Sequence, residues 1–120
     1  MFPPWHELKR SEMRALKSRA EGSLDADVIA SMRALFEACR KAPDANESIC
    51  YHGSLALILE FDGDLDAAIE HRKIEISKIQ QLHNLAQVNP GVRPALRNYD
   101  EQDLQIRSQI LEDVLRKAAS

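Results

Sequence analysis

The densest set of chemically useful side chains in this 120-residue chain is a run of carboxylates, Glu60, Asp62, Asp64 and Asp66, around Gly63. Alternating aspartates can hold a divalent cation, and a carboxylate at the end of an apolar run can act as a nucleophile. His52 and His71 flank the run. Glu75 follows His71 at i+4, a spacing at which an imidazole and a carboxylate on one helix can share a proton. Cys39 and Cys50 add two thiols. Metal binding, phosphoryl transfer and acid–base chemistry are therefore the activities to weigh.

Each meets an obstacle in the spacing. Leu57 to Leu65 is similar to the apolar-run-DxDG opening of haloacid-dehalogenase phosphatases, but the nucleophile position holds Glu60. The extra methylene displaces the carboxylate by more than about 1 Å, and catalysis loses heavily for misplacements of that size. The preceding SICYHGSLALILE also has helical spacing rather than that of a buried strand. A calcium loop started at Asp62 would need glycine where Ala67 stands and a bidentate glutamate where Lys73 stands. A cation at the position of the key ligand excludes that site.

His52, His71, Cys39 and Cys50 show neither a C-x-x-C nor an H-x-x-x-H pair, the spacings that usually mark a zinc site. In an antiparallel hairpin turning at Gly63, His52 and His71 come within a few turns of each other. The simpler expectation is buried structural thiols and hydrogen-bonded or exposed histidines. His71, Arg72 and Lys73 with Arg93 and Arg97 could form an anion patch; a solvated helix face with loop charges is the expected reading. The acidic run has an ordinary cause, since Asp64 and Asp66 fall where negative charge favours a helix N-terminus.

The elements that would position these residues read as helices. Leu, Ala, Ile, Glu and Arg dominate, threonine is absent, and poverty in β-branched and aromatic residues argues against sheet. The length suits one domain, 1–120, with one core. A net charge of −3 gives no footprint for nucleic acid. No apolar run approaches the roughly 20 residues of a membrane helix. The charged start MFPPWHELKR does not read as a signal peptide, and two unframed cysteines fit a reducing compartment, so a cytoplasmic location is expected.

Pro3-Pro4 opens a first helix that Gly22-Ser23 ends, with Trp5, Leu8, Leu16 and Ala20 on one face. A second runs from about 24 to 41 through Leu24, Val28, Met32, Leu35 and Cys39, and Pro43-Asp44 stops it. Asp44 or Asn46 can cap the third, which is apolar on more than one side and must be covered on more than one side. Gly63 ends it, and a fourth helix runs from about 65 to 85. Residues 87–98, with Pro90, Gly91 and Pro94, form the one real loop. A fifth helix starts near Asp100 with a stripe of Leu104, Leu111, Val114, Leu115 and Ala118, and with Ile106 and Ile110 alongside.

A shift of 41 residues lays Gly22-Ser-Leu-Asp-Ala26 on Gly63-Asp-Leu-Asp-Ala67, Leu8 on Ile49 and Val28 on Ile69. Similarity at a fixed period across two helices and their turn is the sign of a helical-hairpin repeat. GSLALILEFDGDLDAAIEHRKIEI resembles the tetratricopeptide repeat: Ala56 stands at its small residue, Leu59 at its tyrosine, Gly63-Asp64 at its turn and Ala68 at its packing alanine. It departs from that family at His52, Arg72 and Glu75, lacks the closing proline, and exceeds the usual period of roughly 34.

The resemblance implies an all-α fold of about five helices, antiparallel tetratricopeptide-like hairpins with a capping C-terminal helix. It implies an interaction module without chemistry or cofactor, docking a peptide or helix of a protein partner in an apolar groove. Carried over position by position, Cys50, Gly53, Leu57 and Glu60 would line that groove. The family's carboxylate-clamping lysines and asparagines are missing there. Two other readings remain: a self-associating structural protein, such as a homodimer, and a small metal- or anion-dependent enzyme using His52 and His71. Neither nucleic acid nor membrane is an expected partner.

Overall fold

The computed structural model describes residues 2–120. Five α-helices carry the chain: α1 (Trp5–Ala20), α2 (Ala26–Cys39), α3 (Ile49–Asp62), α4 (Leu65–Val88) and α5 (Glu101–Ala119). Short 3-10 helices occupy Ala45–Glu47 and Pro90–Asn98, and no strand occurs among the described residues. The all-α class expected from composition is the class observed.

The helix boundaries follow from caps. Asp25 accepts hydrogen bonds from the backbone N–H groups of Asp27 and Val28, Asp64 from Ala67, and Asp100 from Asp103. Ser48, rather than Asp44 or Asn46, caps α3 by accepting from the Tyr51 N–H. The chain winds into a 3-10 turn at 45–47 first, so α3 starts later than either Asp44 or Asn46 allows. Residues 90–98, expected as a loop, wind into a 3-10 helix that follows α4, which itself extends to Val88.

The turns after α1 and α3 close alike. Gly22 and Gly63 both have positive φ, at 131° and 87°. In each, the glycine N–H donates to the carbonyl three residues back, and the next N–H reaches five residues back, Ser23 to Ser18 and Asp64 to Leu59. These bonds satisfy carbonyls that a helix end leaves open, in a conformation glycine adopts without strain.

α1 packs on α2 and α3, α3 on α2 and α4, and α5 on α4. α3 is central: Cys50, His52, Gly53, Ser54, Ala56, Leu57 and Ile58 are all buried, which only coverage on several sides achieves. The main apolar core joins Leu8 and Ala15 of α1, Ile29, Met32, Phe36 and Cys39 of α2, and Cys50, Leu57 and Ile58 of α3. A second, smaller cluster joins Ala68 and Ile69 of α4 to Ile110 and Val114 of α5.

α5 buries only part of the stripe its hydrophobic spacing predicts, with Val114 inward and Leu111 packed beside it. Arg107, Ile110 and Val114 point inward, while Ile106 and Leu115 are 47% and 41% exposed. Ala20, placed on the inner face of α1 by spacing, is exposed, and Glu12 takes a fully buried position beside Leu8 and Ala15. The cause is a set of charges at the centre of the fold.

Candidate functional site

Glu12 of α1, Arg72 and Glu75 of α4, and Arg107 of α5 are all essentially inaccessible to water. Arg107 is the hub. Its Nη2 lies 2.8 Å from Glu12 Oε1, its Nη1 pairs with Glu75 Oε2, and its Nε donates to Asp103 Oδ2 at 2.7 Å. Arg72 Nη1 donates to the other Glu75 oxygen at 2.6 Å. Lys9 Nζ stands 3.6 Å from Glu12. Three carboxylates therefore face three cations, and the cluster is neutral as a whole.

Neutrality makes this burial tolerable, because an isolated buried charge is expensive while a paired one regains the loss in mutual attraction. Burial pushes the Glu12 carboxyl up, but Arg107, Lys9 and Arg72 outweigh it and hold the group below its ordinary range. Burial pulls Arg107 down, and Glu12, Glu75 and Asp103 reverse that, leaving it well above its ordinary value. Charge rather than directional bonding joins Glu12 to Arg107: neither Glu12 oxygen makes a geometrically sound hydrogen bond.

Gly53 of α3 makes room for the cluster. A Cβ there would overlap Glu75 Oε2 and come within 2.8 Å of Glu12 Oε2 and 3.2 Å of Arg107 Nη1. Those atoms are held by their ion pairs and cannot swing away freely. The absence of a side chain at 53 thus serves the packing of the ions, with no unusual backbone angle involved.

The two histidines meet between α3 and α4. Their rings stack with centroids 5.3 Å apart, and Nδ1 faces Nδ1 at 3.0 Å. His52 Nε2 lies 2.6 Å from the Asn46 carbonyl, an acceptor, so Nε2 carries a proton. Neutral His52 then accepts at Nδ1, and His71 Nδ1–H donates to it. Burial pulls both rings below their ordinary pKa. Glu75 is therefore no proton partner for His71; it belongs to the arginines.

No group of three or more metal-ligating side chains assembles among the described residues. Cys39 and Cys50 are free and buried, and burial pushes both thiols up, away from the reactive thiolate. Asp62 ion-pairs with Arg33 at 2.6 Å, and Asp64 caps α4. Arg72, a member of the candidate anion patch, is buried in its pair with Glu75.

The positions expected to line a docking groove lie elsewhere in function. Cys50 and Leu57 are in the core, Gly53 lies against the ion cluster, and Glu60 is gripped by two helices. Arg19 Nε donates to both Glu60 oxygens at 3.1 Å, and Lys117 of α5 donates to Oε2 at 3.1 Å. α5 meets this surface at two points, Arg107 beside Gly53 and Lys117 on Glu60, while Cys50 and Leu57 are buried among α1 and α2. Of the apolar surplus of α3, Leu57 and Ile58 are buried in that core and Phe61 stays 42% exposed.

Glu12, Asp103 and Arg107 were not singled out by motif reasoning, yet a signal exists. Glu12 stands four residues after Leu8 and three before Ala15, inside an apolar stripe. Arg107 stands three before Ile110 and seven before Val114, again in the stripe. Arg72 and Glu75 are two of the departures from the tetratricopeptide pattern. Charges of both signs on inward-facing positions of separate helices point to a buried ionic cluster.

A cleft of about 620 Å³ opens beside this cluster, between the exposed ridge of α1 and the Arg97–Ile106 segment. Tyr99, whose carbonyl accepts from His83 Nε2 at 2.6 Å, anchors the segment. Lys9 lies 4.1 Å above the Tyr99 ring, in cation–π range. Compared with protein-family models, curated proteins and solved structures, the chain matches none. No described helix is long and apolar enough to cross a membrane.

Proposed function

We propose that this chain is a protein–protein interaction module of tetratricopeptide-like kind: two helical hairpins closed by α5, docking a segment of another protein without chemistry of its own. The observation that carries this reading is the equivalence of the two hairpin turns. Gly22 and Gly63, 41 residues apart, close their helices with the same hydrogen bonds. The equivalent positions Arg19 and Glu60, also 41 apart, ion-pair with each other and join the hairpins directly. Repeated hairpins stacked in this way make rigid surfaces whose use is recognition.

The partner-facing surface in this reading is not the α1–α3 groove, whose Cys50, Gly53 and Leu57 are buried within the chain. It is the outer ridge of α1 with the adjoining Arg97–Ile106 segment. Cross-linking of the intact protein in its own cells, followed by amide exchange on the recovered complex, tests the module reading. A defined protein partner that protects a contiguous patch of the chain is the expected result. No partner enriched over an unfolded Leu57→Asp control would defeat it.

A further inference from the structure

The cleft beside α1 carries an imbalance of charge that the fold itself does not use. Its two carboxylates are already engaged: Asp100 Oδ1 accepts from the Asp103 N–H at 2.8 Å, and Asp103 Oδ2 accepts from Arg107 Nε. Its arginines are not. Arg10, Arg14 and Arg97 line the cleft and make no ion pair or side-chain hydrogen bond among the described residues. Arg10 and Arg14 are one helical turn apart on α1 and face Arg97 across the opening.

A fourth cation lies deeper. Lys9 Nζ is shielded from water but makes no hydrogen bond; it has only the 3.6 Å pair with Glu12 and the face of Tyr99. A buried ammonium with spare donors is costly unless something accepts from it. Among these charges, Met13 and Ile106 stand 49% and 47% exposed on opposite walls. An unbranched methionine adapts to varied apolar contacts, which suits a binding surface.

We infer that this cleft binds an acidic peptide segment of a partner protein, one in which carboxylates flank an apolar side chain. The carboxylates pair with Arg10, Arg14 and Arg97, whose planar guanidinium groups match carboxylate geometry. The apolar side chain seats between Met13 and Ile106. The volume accommodates a few side chains rather than a whole element. A nucleic-acid strand fits less well: the lining holds no Phe, Tyr or Trp ring, only the His6 imidazole, and a chain of net charge −3 offers no wider basic surface along which a phosphate backbone could run.

This inference rests on the module reading and names the chemistry of its partner. The test is fluorescence anisotropy of the intact protein with three labelled probes: a peptide of glutamates around a single leucine, its counterpart with lysines for glutamates, and a single-stranded oligonucleotide. The acidic peptide alone is expected to bind, less tightly as salt rises. Arg14→Glu and Arg97→Glu, both on the surface, should each weaken it on the order of tenfold or more. Met13→Ser should weaken it as well, which a purely ionic contact would not show.

Failure of the acidic peptide to bind, binding unmoved by the Arg14 and Arg97 variants, or tighter binding of the oligonucleotide would each overturn the proposal. So would a concentration-dependent rise in mass abolished by Arg14→Glu, which would give the cleft to a second copy of the chain. If the cross-linked partner described above protects a different face, this inference falls while the module reading stands.

Discussion

The central helix α3 has two unlike neighbourhoods. On the side of Leu57 and Ile58 it meets Leu8, Ile29, Met32 and Phe36, an apolar core in which any well-shaped hydrocarbon contributes. On the side of Gly53 it meets Glu12, Glu75 and Arg107, where every member depends on the others. Apolar packing is non-directional and tolerates volume-conserving exchange. An ionic cluster tolerates almost no single exchange, because loss of one charge strands its partner. The first side supplies cohesion. The second selects one placement of α5, since only one register brings Arg107 between two carboxylates.

The largest effect is expected at the hub. Arg107→Ala leaves Glu12 and Glu75 short of a counter-charge and should lower unfolding free energy by about 3–5 kcal/mol in urea titration. Replacing Arg107, Glu12, Glu75 and Arg72 together with apolar residues of similar volume, so that no fully buried charge is stranded, should recover most of that loss. A quadruple variant as unstable as the single one would mean that the ions contribute cohesion too, and the contrast would collapse. On the apolar side, Leu57→Ala should cost about 2–5 kcal/mol, from lost transfer energy and a residual cavity. Leu57→Met should cost under about 1.5 kcal/mol, as volume-conserving exchanges do.

A pH series separates the two sides further. His52 and His71 have depressed pKa values in the fold, so the unfolded chain takes up protons first as pH falls. Their contribution is present above about pH 6.5 and declines as pH falls through that value towards their lower folded-state values. One added proton can be shared along the Nδ1–Nδ1 contact; a second breaks it. His71→Asn should flatten this part of the urea-midpoint curve. Glu12 acts at lower pH: its depressed value stabilises above the ordinary carboxylate range and is lost as pH falls through the folded-state value. A curve unchanged by His71→Asn would place the acid sensitivity in the ion cluster alone.

The smallest effect is expected at Arg33 and Asp62, a pair at 2.6 Å whose side chains are 43% and 39% exposed. Solvent screens it, and Arg33→Ala should change stability by less than about 1 kcal/mol. A large loss there would show that ion pairing outside the cluster also shapes the fold.

The sequence made some of this legible and hid the rest, for physical reasons. The helix end at Gly63 and the helix starts at Asp64 and Asp100 were readable because helix ends depend on neighbours only a few residues away. The burial of α3 on several sides followed from its apolar breadth. The inward face of α5 is legible only in part: hydrophobic spacing finds Val114 and Leu111 but favours Leu115 over Arg107, whose register answers to carboxylates on two other helices. The histidines were placed near each other by the hairpin, but their mutual hydrogen bond depends on the Asn46 carbonyl, which only tertiary structure brings in. Cys50 and Leu57 of the candidate groove are buried rather than open, because a one-dimensional match says nothing about which neighbouring helices cover a face. The cleft between α1 and residues 97–106 joins segments too distant in sequence to appear as a motif.

The ion cluster also bears on how the chain comes to be folded as it leaves the ribosome. Glu12, Gly53, Arg72 and Glu75 all emerge before Arg107. Without α5, the two carboxylates would have Arg72 and Lys9 as their only near cations. The apolar contacts of α1, α2 and α3 involve no residue of α5, whereas the arrangement around Gly53 is incomplete without Arg107. The fold therefore divides into a part that α1 to α3 can assemble among themselves and a part whose charges balance only when residues 12, 75 and 107 are all in place.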